Sequence, residues 1–219
     1  MSIQKKRKRY RLRKKVRQTL GALAGFAAVC ALMAIGLFLL SEPKYATEGV
    51  ELECVGELPV LHQHIPEGRQ NRPGILREIR WIVIHETDNF AKSADAQHHS
   101  DYLATNTEDV NSWHYTVDDQ TIIHQLPDEE VGWHAGDQMS EHGGNMSGIG
   151  IEMCVNKESD FEKTVDNTAR LAAVLLKEYN LKIDALKRHH DFSGKNCPAH
   201  YYKEEDWQHF VELVKSYLK

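Results

Sequence analysis

The chain is short of cysteine, with only Cys30, Cys54, Cys154 and Cys197 scattered over 219 residues. A small stapled scaffold needs more of them, more closely spaced, so a disulfide framework does not organise this fold. A single Cys54–Cys154 bridge stays open. Proline is also sparse, and four of the six, Pro43, Pro59, Pro66 and Pro73, fall between residues 41 and 74. No helical or strand period persists there, so that stretch is expected to be a connector. Internal repeats and low-complexity tracts are absent, which excludes solenoid and array architectures. Acid is missing from residues 1–17, which hold ten of the 27 Lys and Arg and leave 17 basic against 32 acidic residues beyond them. A basic arm on an acidic body argues against a nucleic-acid binder.

The stretch just beyond the arm gives it a meaning. Thr19 to Leu40, TLGALAGFAAVCALMAIGLFLL, is 22 residues without a charge. As a helix it would extend roughly 30 Å, the thickness of a bilayer core. A cleavable signal peptide has a shorter apolar region of about 7–15 residues and a small-x-small cleavage site, which SEPKYATEG matches poorly. The expectation is an uncleaved signal anchor over 19–40. Residues 1–18 would form a cytoplasmic basic arm by the positive-inside rule, with everything from 41 onward outside.

From residue 75 a compact domain is expected. IRWIVIH (79–85) has the length and β-branching of a strand buried on both faces. Ser93 to Leu103 reads as a helix with Ser93 as N-cap. WHYTV (113–117) and TIIHQL (121–126) flank Asp118-Asp119-Gln120 as a hairpin, and GIGIEMCV (148–155) is a further strand. Val165, Ala169, Ala172, Leu176 and Tyr179 recur at helical spacing, Ala185–Arg188 suits a short last strand, and Glu204–Leu218 an amphipathic helix. Interleaved strands and helices indicate an α/β or α+β domain on a central sheet, and the expected class is α/β with a central mixed sheet flanked by helices.

The chemistry concentrates in RHHDFSGKNCP (188–198). A catalytic zinc site takes three ligands from His, Cys and carboxylate and keeps one position open. His189 and Cys197, joined by a Gly-containing loop, could supply two, and His85 at the end of an apolar strand the third. With 13 histidines in the chain, that spacing alone says little.

Five motifs occurring in order say more: IVIHET, SWHYTVDD, GWHAGD, GNMSGIGIEMC and RHHDFSGKNCP. Together they resemble the zinc-dependent N-acetylmuramoyl-L-alanine amidases of type 2, a family that includes phage endolysins, bacterial autolysins and animal peptidoglycan recognition proteins. The resemblance covers roughly residues 77–200. It implies that family's fold, one zinc ion, peptidoglycan as substrate and, with the anchor, a place in a bacterial cell membrane. It makes His85, His189 and Cys197 the metal ligands, with His190 a neighbour of the site or a surface group. Glu152 becomes the general acid/base and Lys195 a cationic partner to the oxyanion.

The same resemblance gives His134, Asn145 and Trp113 places at the substrate. His134 equally suits a loop hydrogen bond, and Asn145 a turn. Trp113 stands where some members have a tyrosine, which leaves no phenol there. Asp191 is a candidate partner behind a ligand histidine, while His62, His64, His98 and His99 read as surface residues. Two other functions fit the same residues: a recognition module that holds peptidoglycan without cutting it, and a membrane-tethered adaptor. The intact ligand set favours the enzyme.

Overall fold

The computed structural model describes residues 45–219, together with five isolated helical positions, Leu20, Leu23, Phe26, Cys30 and Met33. The chain divides into two compact units, Met1–Lys44 and Tyr45–Lys219. The expected arm and membrane span lie, apart from those five positions, outside the described residues.

The second unit is built on seven strands: β1 (Cys54–Val55), β2 (Leu58–His62), β3 (Trp81–Glu86), β4 (Tyr115–Val117), β5 (Ile122–His124), β6 (Gly148–Met153) and β7 (Leu186–Arg188). They lie in the order β1-β2-β5-β4-β6-β3-β7. β3 pairs in parallel with β6 on one side and β7 on the other, and β4 joins β6 in parallel and β5 antiparallel. The mixed sheet is therefore present, and β3 is buried from Ile82 through Glu86, as its apolar run implies. The β4–β5 hairpin closes through Asp118, whose carboxylate accepts the Gln120 and Thr121 N–H groups.

Five helices complete the unit: α1 (Ala96–Thr105), α2 (Gly144–Ser147), α3 (Phe161–Glu178), α4 (His190–Ser193) and α5 (Glu204–Tyr217). One face of the sheet gives Ile82, Ile84, Tyr115, Val117, Ile149, Ile151 and Met153 to the main core. There they meet Val165, Ala169, Ala172 and Leu176 of α3 and Trp207, Phe210, Val211 and Val214 of α5. The apolar spacing of these helices forces that packing. Asp160 caps α3 by accepting the Lys163 N–H, and Glu204, Glu205 and Asp206 complement the amide end of α5. α1 packs on the other face, where Ala96 joins Ile123 and Cys154.

Two expectations need correction. Residues 41–74 are more than a connector: the domain starts at Tyr45, and this stretch supplies β1 and β2, with β2 pairing in parallel with β5. Its strands are short, and of their residues only Val55 and Val60 are buried, too few to leave a periodic signal. Ile79 N–H further donates to the Ala46 carbonyl, tying the start of the unit to the approach to β3. The cap of α1 is Asp95, which accepts the His98 N–H at 2.8 Å, and Ser93 sits before it at φ 62°. Aspartate caps as well as serine, and the helix starts where the carboxylate can reach. Cys54 and Cys154 are both free thiols, one exposed and one buried.

Candidate metal centre

Alternation along β3 and β6 builds the site. With Ile82, Ile84, Ile149, Ile151 and Met153 committed to the core, His85 and Glu152 project to the opposite face, on neighbouring strands in register. His189 lies just past the end of β7, beside β3, and its N–H bonds the Ile84 carbonyl. Cys197 returns to the same place after α4 and a turn at Gly194, where φ is 74°. Its Sγ lies 3.5 Å from the Glu86 N–H. The ligand atoms of His85, His189 and Cys197 all fall within 4.8 Å of one another, and all three residues are buried.

The ring protons can be placed from the hydrogen bonds. His134 Nε2 lies 3.1 Å from the Gly148 carbonyl, which only accepts, so that nitrogen carries the proton. His134 Nδ1 then accepts from His85 Nε2 at 3.0 Å, leaving His85 Nδ1 bare. The His189 ring donates to the backbone of Ala135 and faces His85 with Nδ1, 3.0 Å away. Two bare nitrogens at that distance repel, and a cation between them removes the repulsion. Burial holds all three rings neutral: it pushes His134 to about 3, His189, beside Lys195, to about 4, and His85 well below its ordinary value. Burial pushes the Cys197 thiol up to about 12, a thiol that metal binding would deprotonate. Two imidazoles, one thiol and an adjoining cleft match a catalytic zinc site with an open position.

Glu152 stands beside this cluster, its Oε1 3.8 Å from His85 Nδ1, while Oε2 is buried without a hydrogen-bond partner. Burial raises its pKa to about 8, with Glu86 adding to the rise and Lys195 opposing it. Lys195, Glu152, His134, His189 and Cys197 all line one cleft of about 170 Å³, with Trp113 and Trp133 in its wall.

The structure separates the other expected residues. His134 serves as the brace behind His85, and Gly150 lets it do so, since a Cβ there would meet the ring at 2.8 Å. Asn145 braces the loop: its Oδ1 accepts the His134 and Ala135 N–H groups and its Nδ2 donates to the Gln138 carbonyl. Trp113 reaches the cleft, but its indole N–H is taken by Thr116 Oγ1 at 2.6 Å. Asp191 pairs with Arg188 rather than with a ligand histidine. His190 places Nδ1 3.0 Å from the Lys195 carbonyl and so braces the loop that carries Lys195. His99 is buried, not a surface group, and its Nδ1 lies 2.8 Å from the Asp95 carbonyl.

Known proteins resemble this chain in sequence and fold. A family profile described as N-acetylmuramoyl-L-alanine amidase, of type 2, matches residues 76–200. The chain belongs to this family. The amidase CwlH of Bacillus subtilis (strain 168) is 40% identical over 152 residues, 69% of this chain and 59% of CwlH. The amidase XlyA of the same organism is 42% identical over 139 residues, 64% of this chain and 46% of XlyA. The chain thus spans about half the length of these curated relatives. The solved catalytic domain of XlyA superposes with a TM-score of 0.68 at 38% identity, covering 72% of this chain and 99% of that domain.

Within this amidase family member, sequence reasoning leaves several site residues without a role. Trp133 and Glu86 line the cleft, although each adjoins a motif histidine, His134 and His85. His114, in SWHY, is fully buried, and its Nδ1 accepts the Gly150 N–H at 3.1 Å, fixing the strand that carries Glu152. The place of His114 between Trp113 and Tyr115 in the SWHY motif is the available signal.

Proposed function

We propose that this chain is a zinc-dependent N-acetylmuramoyl-L-alanine amidase, hydrolysing the amide between N-acetylmuramic acid and the L-alanine of the peptidoglycan stem. The observation that carries the reading is two bare histidine nitrogens and a buried thiol converging beside a carboxylate with an unpartnered oxygen. The names of the relatives point to the same bond. His85, His189 and Cys197 would hold the ion. When bound, zinc supplies Lewis acidity, polarising a carbonyl and lowering the pKa of water.

This chain's own groups do the rest. Glu152 accepts a proton from water as the water oxygen bonds to the carbonyl carbon. The carbon–nitrogen bond then breaks, and Glu152 passes that proton to the departing alanine nitrogen. Burial raises the Glu152 pKa to about 8, which suits giving the proton back. Beside a cation held by the neighbouring ligands it would fall toward the range for taking one. The Lys195 ammonium faces the same cleft and offsets negative charge on the former carbonyl oxygen. His134 holds the His85 ring in the tautomer that bares Nδ1.

The test is release of L-alanine amino termini from purified peptidoglycan by the full chain, before and after chelation and on zinc return. Zinc-restored release is expected. Wall binding without release would make this a recognition module instead.

The uncharged run at 19–40 supports a further part of the reading: a single-pass anchor that keeps the domain outside, against wall nearest the membrane. Deleting residues 1–40 is expected to move the protein from the membrane fraction to the soluble one. Unchanged fractionation would reject the anchor.

A further inference from the structure

A second group of histidines lies on the other face of the sheet, outside the proposed mechanism. β2 and β5 run in parallel with His62 opposite His124, and alternation brings His64 to the same side two residues on. Tyr115, a member of the helix-backed core, stacks on His124 with ring centres 4.4 Å apart. His62 Nδ1 lies 3.2 Å from His124 Nδ1, and His64 Nε2 lies 3.4 Å from the same atom.

The outer nitrogens settle where the protons go. His62 Nε2 faces the Leu52 carbonyl at 3.2 Å, which places the ring proton there and bares Nδ1. His124 Nε2 lies 3.3 Å from Asp128 Oδ1 without the alignment of a hydrogen bond, so both buried atoms are left without a hydrogen-bond partner. The other Asp128 oxygen accepts the hydroxyls of Tyr115 and Tyr179, so the carboxylate is fixed in place. The Asp128 carboxylate attracts a proton to His124 Nε2, and with the proton there Nδ1 is bare as well. Two bare nitrogens 3.2 Å apart, with a third beside them, call for a shared cation.

Tetrahedral zinc with ligands at 2.0–2.1 Å separates two nitrogens by about 3.3–3.4 Å, and the separations here are 3.2 and 3.4 Å. Asp128 stands behind His124 as carboxylates stand behind ligating histidines. Arg72, whose charge reaches His64, is paired by two hydrogen bonds with Glu130. We propose that His62, His64 and His124 form a second metal site, for zinc or a like imidazole-binding divalent ion, that clamps β2 to β5. Exposed His62 leaves a coordination position open to water.

Equilibrium dialysis of the chelator-stripped full chain against zinc, with metal counted per chain, tests this site whatever the cleft holds. The native protein is expected to bind one equivalent more than His62→Ala or His64→Gln. His62 is exposed, so the metal-free melting temperature of His62→Ala should match the native value. In a Cys197→Ala background, zinc is expected to raise the melting temperature, and adding His62→Ala should abolish that rise. Equal zinc content in native and both histidine variants overturns the proposal and leaves a proton-sharing histidine pair. So does the absence of a zinc-dependent rise in the Cys197→Ala chain.

Discussion

On β3, Ile82 and Ile84 enter the helix-backed core while His85 points away, and β6 repeats the division with Ile149 and Ile151 against Glu152. On one face of these two strands Ile82, Ile84, Ile149, Ile151 and Met153 are apolar and meet their partners on α3 and α5. The other holds neutral buried histidines, a thiol and a carboxylate oxygen without a partner. The first face stabilises by burying hydrocarbon. The second costs stability, because desolvated polar groups are left short of hydrogen bonds. A two-residue period thus lets six-residue strands supply both rigidity and a poised site, and the rigid side sets the positions of the poised one.

Each face can be perturbed separately. The largest effect is expected on the cleft side, from Cys197→Ala. Removing a ligand should cut zinc affinity by more than the roughly 10–100-fold that a group behind a ligand is worth, with activity falling alongside. Full zinc occupancy by direct metal analysis would show that Cys197 is no ligand. On the core side, Phe210→Ala should cost about 3–5 kcal/mol of stability while the folded fraction keeps its zinc and its activity per molecule. A loss of activity beyond the unfolded fraction would mean the faces are not separable.

Acid should also act on the cleft side. His85, His134 and His189 are held neutral in the folded chain, so the unfolded chain takes up protons first as pH falls below 6.5. Stability of the metal-free protein should therefore drop between about pH 6.5 and 4, by several kcal/mol at about 1.4 kcal/mol per pKa unit. Glu152 works the other way, since its raised pKa makes folding less favourable as pH rises from 4.5 toward 8. Three histidines outweigh one carboxylate below neutrality. A urea midpoint that is flat from pH 7 to 4.5 would contradict this. The smallest effect is expected from His134→Ala, which frees the His85 ring and should weaken zinc binding about 10–100-fold. No change in a competitive chelator titration would remove His134 from its bracing place.

Much of this is legible in the sequence, for physical reasons. β3, α3 and α5 carry strong periods because they are buried along their length or on one full stripe. His85, Glu152, His189 and Cys197 emerge from motif order, and strand alternation puts Glu152 on the face away from Ile151. β1 and β2 escape a sequence reading because short strands with only two buried residues between them leave no period, and the pairing of His62 with His124 is hidden with them. Asn145 stays open between two readings in the sequence because an amide can brace a loop or touch a ligand with the same atoms. Only the three-dimensional neighbours, His134 N–H, Ala135 N–H and the Gln138 carbonyl, decide which.

The role of Glu152 is tested most directly by Glu152→Gln, measured for zinc content, melting temperature and release of L-alanine amino termini together. Glutamine keeps the shape but cannot take a proton, so native zinc content, near-native stability and a roughly 10²–10⁴-fold fall in turnover are expected. Turnover within a few fold of the native rate, with zinc bound, would contradict the assignment of Glu152 as the group that moves the proton.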